Sequence, residues 1–366
     1  MLSGARGEKA NTVSFVVSKQ GGEIMSLPMK SKLALGAAAL AYALFVSGQS
    51  FAAPMKPGGY PSRPITIMFC FGKSGGSAQS IRAIKGPASK IMGIRINMIS
   101  KPGGGGVNCL PDVQQTPADG YTILQHTDTF VSTYVKGAHD LHPAKDMIPL
   151  VIMNVAPTGL YIRGGDKRFM TAGKPDFGKI VKYAKIKKGN LKVSNINADM
   201  ELITMAMVEK HFGFKARQVL FGKPAQRYGA VIGGKLDMLM EQPGDVSKHV
   251  AAGKLMPVLS VWPERFKVAP DAKSTGADYG LKWDPLLRFR GLFIKKETPK
   301  KIVRYLQEVF AAAYKTKEHQ AFIKRKSLDI VDSFRNAADS KKVMLSAIGD
   351  YAKIFKETGK KVRPGL

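Results

Sequence analysis

Residues 65–80, ITIMFCFGKSGGSAQS, decide how the chain is read. An apolar, strand-like run, Ile65–Phe71, breaks into a glycine-rich loop, Gly72–Ser77, and then enters a helix-like segment. A second break of the same kind is KPGGGGVN at 101–108. Strand, glycine loop and helix in that order turn backbone N–H groups and the positive end of a helix dipole towards one point, which suits an anion. Gly72-Lys73-Ser74 invites comparison with a nucleotide P-loop, but that motif wants its first glycine where Ile67 stands, inside the strand.

Outward from this stretch, short apolar runs alternate with amphipathic segments, which reads as α/β. Strands are expected over Ile94–Ile99, Tyr121–Gln125, Leu150–Asn154, Gly159–Ile162, Leu191–Ser194, Gln218–Phe221, Leu236–Met240, Val258–Val261 and Leu292–Ile294. Helices are expected over Ser80–Met92, 176–188, Glu201–His211, Ala225–Ile232, Pro299–Tyr314, His319–Lys326 and Lys341–Glu357. Gly86-Pro87 should break or kink the first of these. Pro299–Tyr314 is the clearest helix, with Ile302, Leu306, Val309, Phe310 and Ala313 on one face. Thr298 reads as its cap and Pro299 as its first-turn residue. No long-period internal repeat is visible.

The chain has 366 residues, of which 44% are hydrophobic and 23% charged, a globular composition with room for two domains. Its net charge is +30; residues 1–52 hold five bases and two acids, leaving +27 for the remainder. Such an excess points to anionic partners. Nucleic acid is a poor fit, because the bases are spread along the chain and no zinc finger, RNA-binding aromatic motif or long basic helix occurs. Steering of small anions fits better. The 2 cysteines, Cys70 and Cys109, are not spaced for a structural zinc site. Each sits beside a glycine-rich loop and an oxidising compartment would let them pair, though two buried free thiols are the simpler reading.

Lys30 and Lys32 precede the apolar run LALGAAALAYALFV at 33–46, followed by SGQSFAAP. A basic region, a short apolar region and small residues near Ala52 make a cleavable export signal. The apolar run is shorter than the roughly 20 residues of a membrane span. Met25 or Met29 is a more natural start for such a signal than Met1.

Several segments carry a family resemblance. YPSRPITI (60–67), KPGGGG (101–106), PADGYTIL (117–124), GGKLDMLM with AAGKLMPVLSV (233–240 and 251–261) and ETPKKIVRYLQEVF (297–310) occur in order. Together they resemble the mature substrate-binding proteins of tripartite tricarboxylate transporters, the Bug-type extracytoplasmic receptors. The resemblance implies an α/β, two-lobed periplasmic-binding-protein fold of the type II, Venus-flytrap kind. Each lobe is a sheet flanked by helices, and two strands cross between them. One lobe takes 60–160 and 283–366, the other 161–282. It further implies a periplasmic monomer without cofactor or metal, which captures a small carboxylate or related organic anion and hands it to membrane transporter subunits.

Carried over residue by residue, the first-lobe grip falls on Phe71, Gly72, Lys73, Ser74, Gly75, Gly76, Ser77 and Gln79, with Thr127 and Asp128 as a second contact. The other lobe contributes Asn195, Asn197, Asp199, Phe221, Gly222 and Glu241, with Gln242 beside the last. Three departures bear on the ligand. The family's Gly-Gly-Ser-Thr-Asp is here Gly75-Gly76-Ser77-Ala78-Gln79, so an acid becomes an amide. Lys73-Ser74 stand where the family has proline, which brings a cation to the loop. The expected Gly-Ser-x-x-His of the second lobe is replaced by Ala198-Asp199-Met200-Glu201-Leu202.

Two other classes stand beside this reading. A ligand-sensing receptor of the same fold would differ only in its partner. A secreted enzyme would draw on Ser77 with His126 and Asp128, or on Cys70. His139 and His142 lack a third metal ligand nearby.

Overall fold

The computed structural model of the chain describes residues 54–186, 190–195, 199–221, 223–281 and 288–366. The export signal expected before Ala52, and Asn197 and Gly222 of the expected site, lie outside the described residues.

The opening strand β1 (Ile65–Phe69) buries four of its five residues and leads through 70–75 into helix α1 (Gly76–Met92). The helix begins four residues before the expected Ser80, so Gly76, Ser77 and Gln79 belong to its first turn. It also continues through Gly86-Pro87 without a break. Proline there leaves the Ala83 carbonyl without its helical donor. Burial lowers the pKa of the nearby His319 ring, and the Ala83 carbonyl offsets part of that shift. Strand β2 (Ile96–Ser100), a short 3₁₀ turn at Gly104–Gly106, helix α2 (Leu110–Gln115), strand β3 (Thr122–Thr127) and helix α3 (Thr129–Val135) follow. Gly103, Gly104, Gly105 and Gly106 all have positive φ, a conformation only glycine adopts freely in series.

Strand β4 (Met147–Ala156) passes through a single residue, Pro157, into β5 (Thr158–Arg163). The chain then forms the hairpin β6 (Met170–Thr171) and β7 (Lys174–Pro175), helix α4 (Phe177–Ile186), β8 (Lys192–Asn195), α5 (Asp199–Phe212), β9 (Arg217–Leu220), α6 (Pro224–Ile232), β10 (Met238–Glu241), α7 (Pro243–Ala251), β11 (Leu255–Val261) and β12 (Lys273–Ser274). It returns as β13 (Arg288–Lys295) and closes with α8 (Lys300–Lys315), α9 (Lys317–Arg325) and α10 (Ala337–Glu357). Thr298 does not cap α8. Pro299 is extended at the cap position, and the Thr298 hydroxyl is buried without a hydrogen-bond partner.

Two mixed sheets result. The first has the order β2-β1-β3-β13-β4 and the second β12-β11-β5-β10-β8-β9. Strands β4 and β13 belong to the first sheet, and β5 joins the second directly after Pro157. One face of the first sheet packs Ile65, Ile67 and Phe69 against Ile81, Ile84, Leu306 and Phe310 of α1 and α8. The opposite face packs Phe293 against Phe130, Tyr351 and Phe355 of α3 and α10. The second sheet buries Leu160, Ile162 and Met240 against Phe177, Ile180, Met205 and Val208. Each such side chain contributes roughly 1.5–3 kcal/mol when withdrawn from water.

Helix α5 departs from this division. Its Met205 and Val208 face the second sheet, while Met200 and Ile203 join the core beneath α3 and α10 of the first. The two cysteines also differ from the simpler sequence reading, since Cys70 and Cys109 form a disulfide with Cα atoms 5.2 Å apart. The glycine turn between β2 and α2 folds Cys109 back beside the end of β1, and both residues are buried.

Candidate functional site

The loop between β1 and α1 is open to solvent at Gly72, Lys73 and Ser74. Its carbonyls tie it to the helix, Lys73 accepting from Arg82 Nη2 at 2.7 Å and Ser74 from Gln79 Nε2 at 3.3 Å. The Gly75 amide donates to the Gly72 carbonyl at 3.2 Å. The N-terminus of α1 has no side-chain cap, which leaves its first-turn amides for another acceptor. Gly72-Lys73-Ser74-Gly75-Gly76 also spells the G-x-S-x-G of a nucleophile elbow. The nearby His126 cannot serve as its base. Its ring lies in hydrogen-bond distance of the Gly106 carbonyl and the Thr127 amide, both 2.9 Å away, and burial pushes its pKa down to about 4. It stacks on Phe130 at 4.9 Å and meets Phe71 edge-on at 5.4 Å.

Arg290 is the residue that sequence reasoning missed. It pairs in register with Thr127 on β3 and Asn154 on β4, and the residue is 5% exposed. Its Nη1 donates to Asn154 Oδ1 at 3.1 Å and to Gln242 Oε1 at 3.2 Å. Its Nη2 lies against Gly76, where a Cβ would come within 2.2 Å of it. Gly76, Gln79, Ser80, Gln242, Asp245 and Arg290 surround one small cavity of about 10 Å³. The available signal was RFR at 288–290, two cations ahead of the apolar run 291–294.

The remaining expected residues are already engaged. Thr127 and Thr129 share a hydroxyl contact of 3.0 Å. Asp128 is buried with Arg288 Nε 3.8 Å away, and burial raises its carboxyl to about 6 against the pull of that cation. Arg288 also pairs with Glu201 of α5. Asp199 accepts from Ser132 at 2.9 Å and pairs with Lys136 at 2.7 Å and Lys360 at 3.8 Å. Asn195 Nδ2 donates to Gln218 at 2.8 Å. Phe221 gives its carbonyl to Arg227 Nη1 at 3.2 Å and its amide to the Asn195 carbonyl at 3.0 Å. Glu241 was expected among the second-lobe contacts. It is instead held in a buried ion pair with Arg227 at 2.7 Å, with the Tyr228 hydroxyl at 3.1 Å and the Gln242 amide at 3.0 Å.

The structure therefore brings Gly76 and Gln79 together with Gln242, and Asp128 together with Arg288 and Glu201. Lys73 and Ser74 stay on the solvent side of their loop. A pattern runs through the ion pairs between the two sheets' elements. Lys136, Arg288, Arg290, Lys326 and Lys360 belong to elements of the first sheet, and their partners Asp199, Glu201 and Asp245 to elements of the second. Among the described residues no group of three or more His, Cys, Asp and Glu side chains is placed to hold a metal ion.

Comparison with known proteins agrees with this architecture. The sequence profile of the tripartite tricarboxylate transporter family receptors, TctC, matches residues 80–359. A protein of the UPF0065 group from Cupriavidus necator, in the gbd 5′ region, is 26% identical over 259 residues, covering 69% of this chain and 75% of its own. MatC of Rhodopseudomonas palustris, solved with bound malate, superposes with a TM-score of 0.66 at 19% identity, over 81% of this chain and 99% of that one. The periplasmic binding protein BugD superposes with a TM-score of 0.70 at 18% identity, over 83% and 100%. The fold is thus the two-lobed one of periplasmic binding proteins, and the family consists of receptors, not enzymes. With three quarters of its length matched, the chain belongs to the TctC family of tripartite tricarboxylate transporter receptors.

Proposed function

We propose that this protein captures a small carboxylate, or a related organic anion, between its two lobes and delivers it to the membrane subunits of a tripartite tricarboxylate transporter. In this reading residues 60–160 with 283–366 form one lobe and 161–282 the other, and the passage from β4 to β5 is one of two crossings between them. The chain reaches the periplasm through a signal cleaved near Ala52 and acts as a monomer. The observation that carries the reading is the uncapped N-terminus of α1 beside a buried arginine, inside a chain of the TctC family. MatC, with its bound malate, supports the same ligand class.

In this reading the lobes part to admit the ligand. An anion docks on the amides at the start of α1, and closure then adds contacts from the second lobe, the hinge motion by which two-lobed receptors trap ligands. Ligand binding to the folded state alone raises its thermal stability by mass action. A thermal-shift screen of the exported protein against monocarboxylates, dicarboxylates, tricarboxylates, aromatic acids, amino acids and amides tests this. A rise with one acid class is expected. A rise with neutral amides or amino acids in preference to simple acids would overturn it.

A further inference from the structure

The cavity between α1, β13 and the start of α7 holds polar atoms that the protein itself leaves unused. Arg290 and Gln242 are 5% and 3% exposed, yet Arg290 Nε and Gln242 Nε2 have no hydrogen-bond partner. Unpaired buried donors are costly, and in native proteins they mark a missing ligand, water or ion. The rest of the guanidinium is arranged around this gap. Nη1 is fixed by Asn154 and Gln242, and Nη2 reaches Asp245 only at 3.8 Å. The Nε–Nη2 edge is the side of arginine that binds a carboxylate through two parallel hydrogen bonds, and here Nε has no partner and Nη2 meets Asp245 only at 3.8 Å.

We propose that Arg290 and Gln242, facing Gly76 and Gln79, form a side-chain seat for one carboxylate of the ligand, and that Asp245 is the tethered carboxylate which the ligand displaces. This rests on the solute-receptor reading above. Three observations place the seat. The guanidinium touches Gly76 because that residue has no Cβ, which puts a fixed cation beside the first-turn amides of α1. Both groups attract the same anion. Asp245 stands between two cations, 3.8 Å from Arg290 Nη2 and 3.6 Å from Lys326 Nζ, so it keeps a partner when it leaves the arginine. The cavity of about 10 Å³ has room for one water-sized group, as expected where an internal carboxylate still occupies the mouth. The cation of the glycine loop that reads a carboxylate is then buried Arg290 rather than exposed Lys73.

The seat predicts selectivity. A fork of two N–H donors rewards a planar acid over its amide. The test is calorimetric titration with a panel of dicarboxylates including malate, and with the mono-amide of each acid that binds. Arg290→Gln should weaken acid binding about 10- to 100-fold and abolish the preference over the amide. Arg290→Lys keeps the charge without the fork. It guards against a folding defect in the first variant, and should keep its circular dichroism and melting profile while losing most of the preference. Asp245→Asn should bind as tightly as the parent or more tightly. Binding by the parent with no loss in either arginine variant would overturn the seat alone. So would a loss in Asp245→Asn equal to that in Arg290→Gln. Failure of the parent to bind any carboxylate would overturn both this inference and the reading it rests on.

Discussion

At the scale of single residues the expected loop was legible and the partner that completes it was not. Gly75, Gly76 and Ser77 announced themselves by the glycine run, whereas Arg290 reaches the same place from a strand more than two hundred residues later. Sequence separation hides such a pairing, because nothing local in RFR says which loop the arginine meets. Gly76→Val should abolish ligand binding with the fold intact, since the new side chain must push aside a guanidinium held by Asn154 and Gln242. Titration beside a circular dichroism spectrum checks this, and undiminished binding would remove the site from the start of α1. The partner of Glu241 was hidden for a related reason, because Arg227 lies on a different element and the ion pair closes only in the fold. Removing one member of a buried pair strands the other, so Glu241→Leu should lower unfolding free energy by about 3–5 kcal/mol. Urea unfolding measures that loss, and a change below about 1 kcal/mol would mean that the pair is less isolated from water than its burial indicates.

At the scale of elements, the strands were legible because their apolar runs are short, β-branched and bounded by glycine, proline or aspartate. Their boundaries shifted by a few residues, most of all for β13, whose two opening arginines disguised the strand. Three short helices escaped notice. Helix α3, TFVSTYV, is rich in β-branched residues and entirely buried, so neither propensity nor amphipathic periodicity marks it. Pro87 misled in the other direction, because a packed helix can run on through a proline at the cost of one backbone hydrogen bond. The disulfide joins the end of β1 to the residue before α2 across a sequence separation of 39. A crosslink over a loop of that size stabilises a domain by about 2–4 kcal/mol, chiefly by restricting the unfolded chain. Cys70→Ser/Cys109→Ser should accordingly lower the denaturant midpoint, and the reduced parent should match it. Equal midpoints for the oxidised and reduced parent would show that the bridge contributes nothing.

For the whole molecule, charge and protonation set the conditions under which the lobes meet. Burial holds His126 and His139 each near a pKa of about 4, below the ordinary 6.5, so both stay neutral when folded but take up protons when unfolded as pH falls through that window. Asp128 works in the opposite sense, since its carboxyl, raised to about 6, keeps a proton in the folded state that the unfolded chain releases. Two histidines outweigh one aspartate, and lowered carboxyls such as Asp278, near 2, add to the loss on further acidification. Stability should therefore fall as pH drops from about 6.5 towards 4.5, read from urea midpoints across that range. His126→Gln should flatten the dependence, and a parent midpoint that rises on acidification would refute it. The base-to-acid pattern of the five inter-sheet pairs was invisible in the sequence, because a net charge says nothing about which side of a cleft each sign occupies. Gly244 adds a steric condition to this electrostatic one. A Cβ at that position would stand 1.7 Å from the Lys326 carbonyl oxygen, so the first turn of α7 can rest against the residue that ends α9 only because a hydrogen atom occupies the spot. One added methyl group at Gly244 is then a doorstop. In the closing-receptor reading proposed above, it should lower apparent affinity in proportion to the fraction of molecules still able to shut.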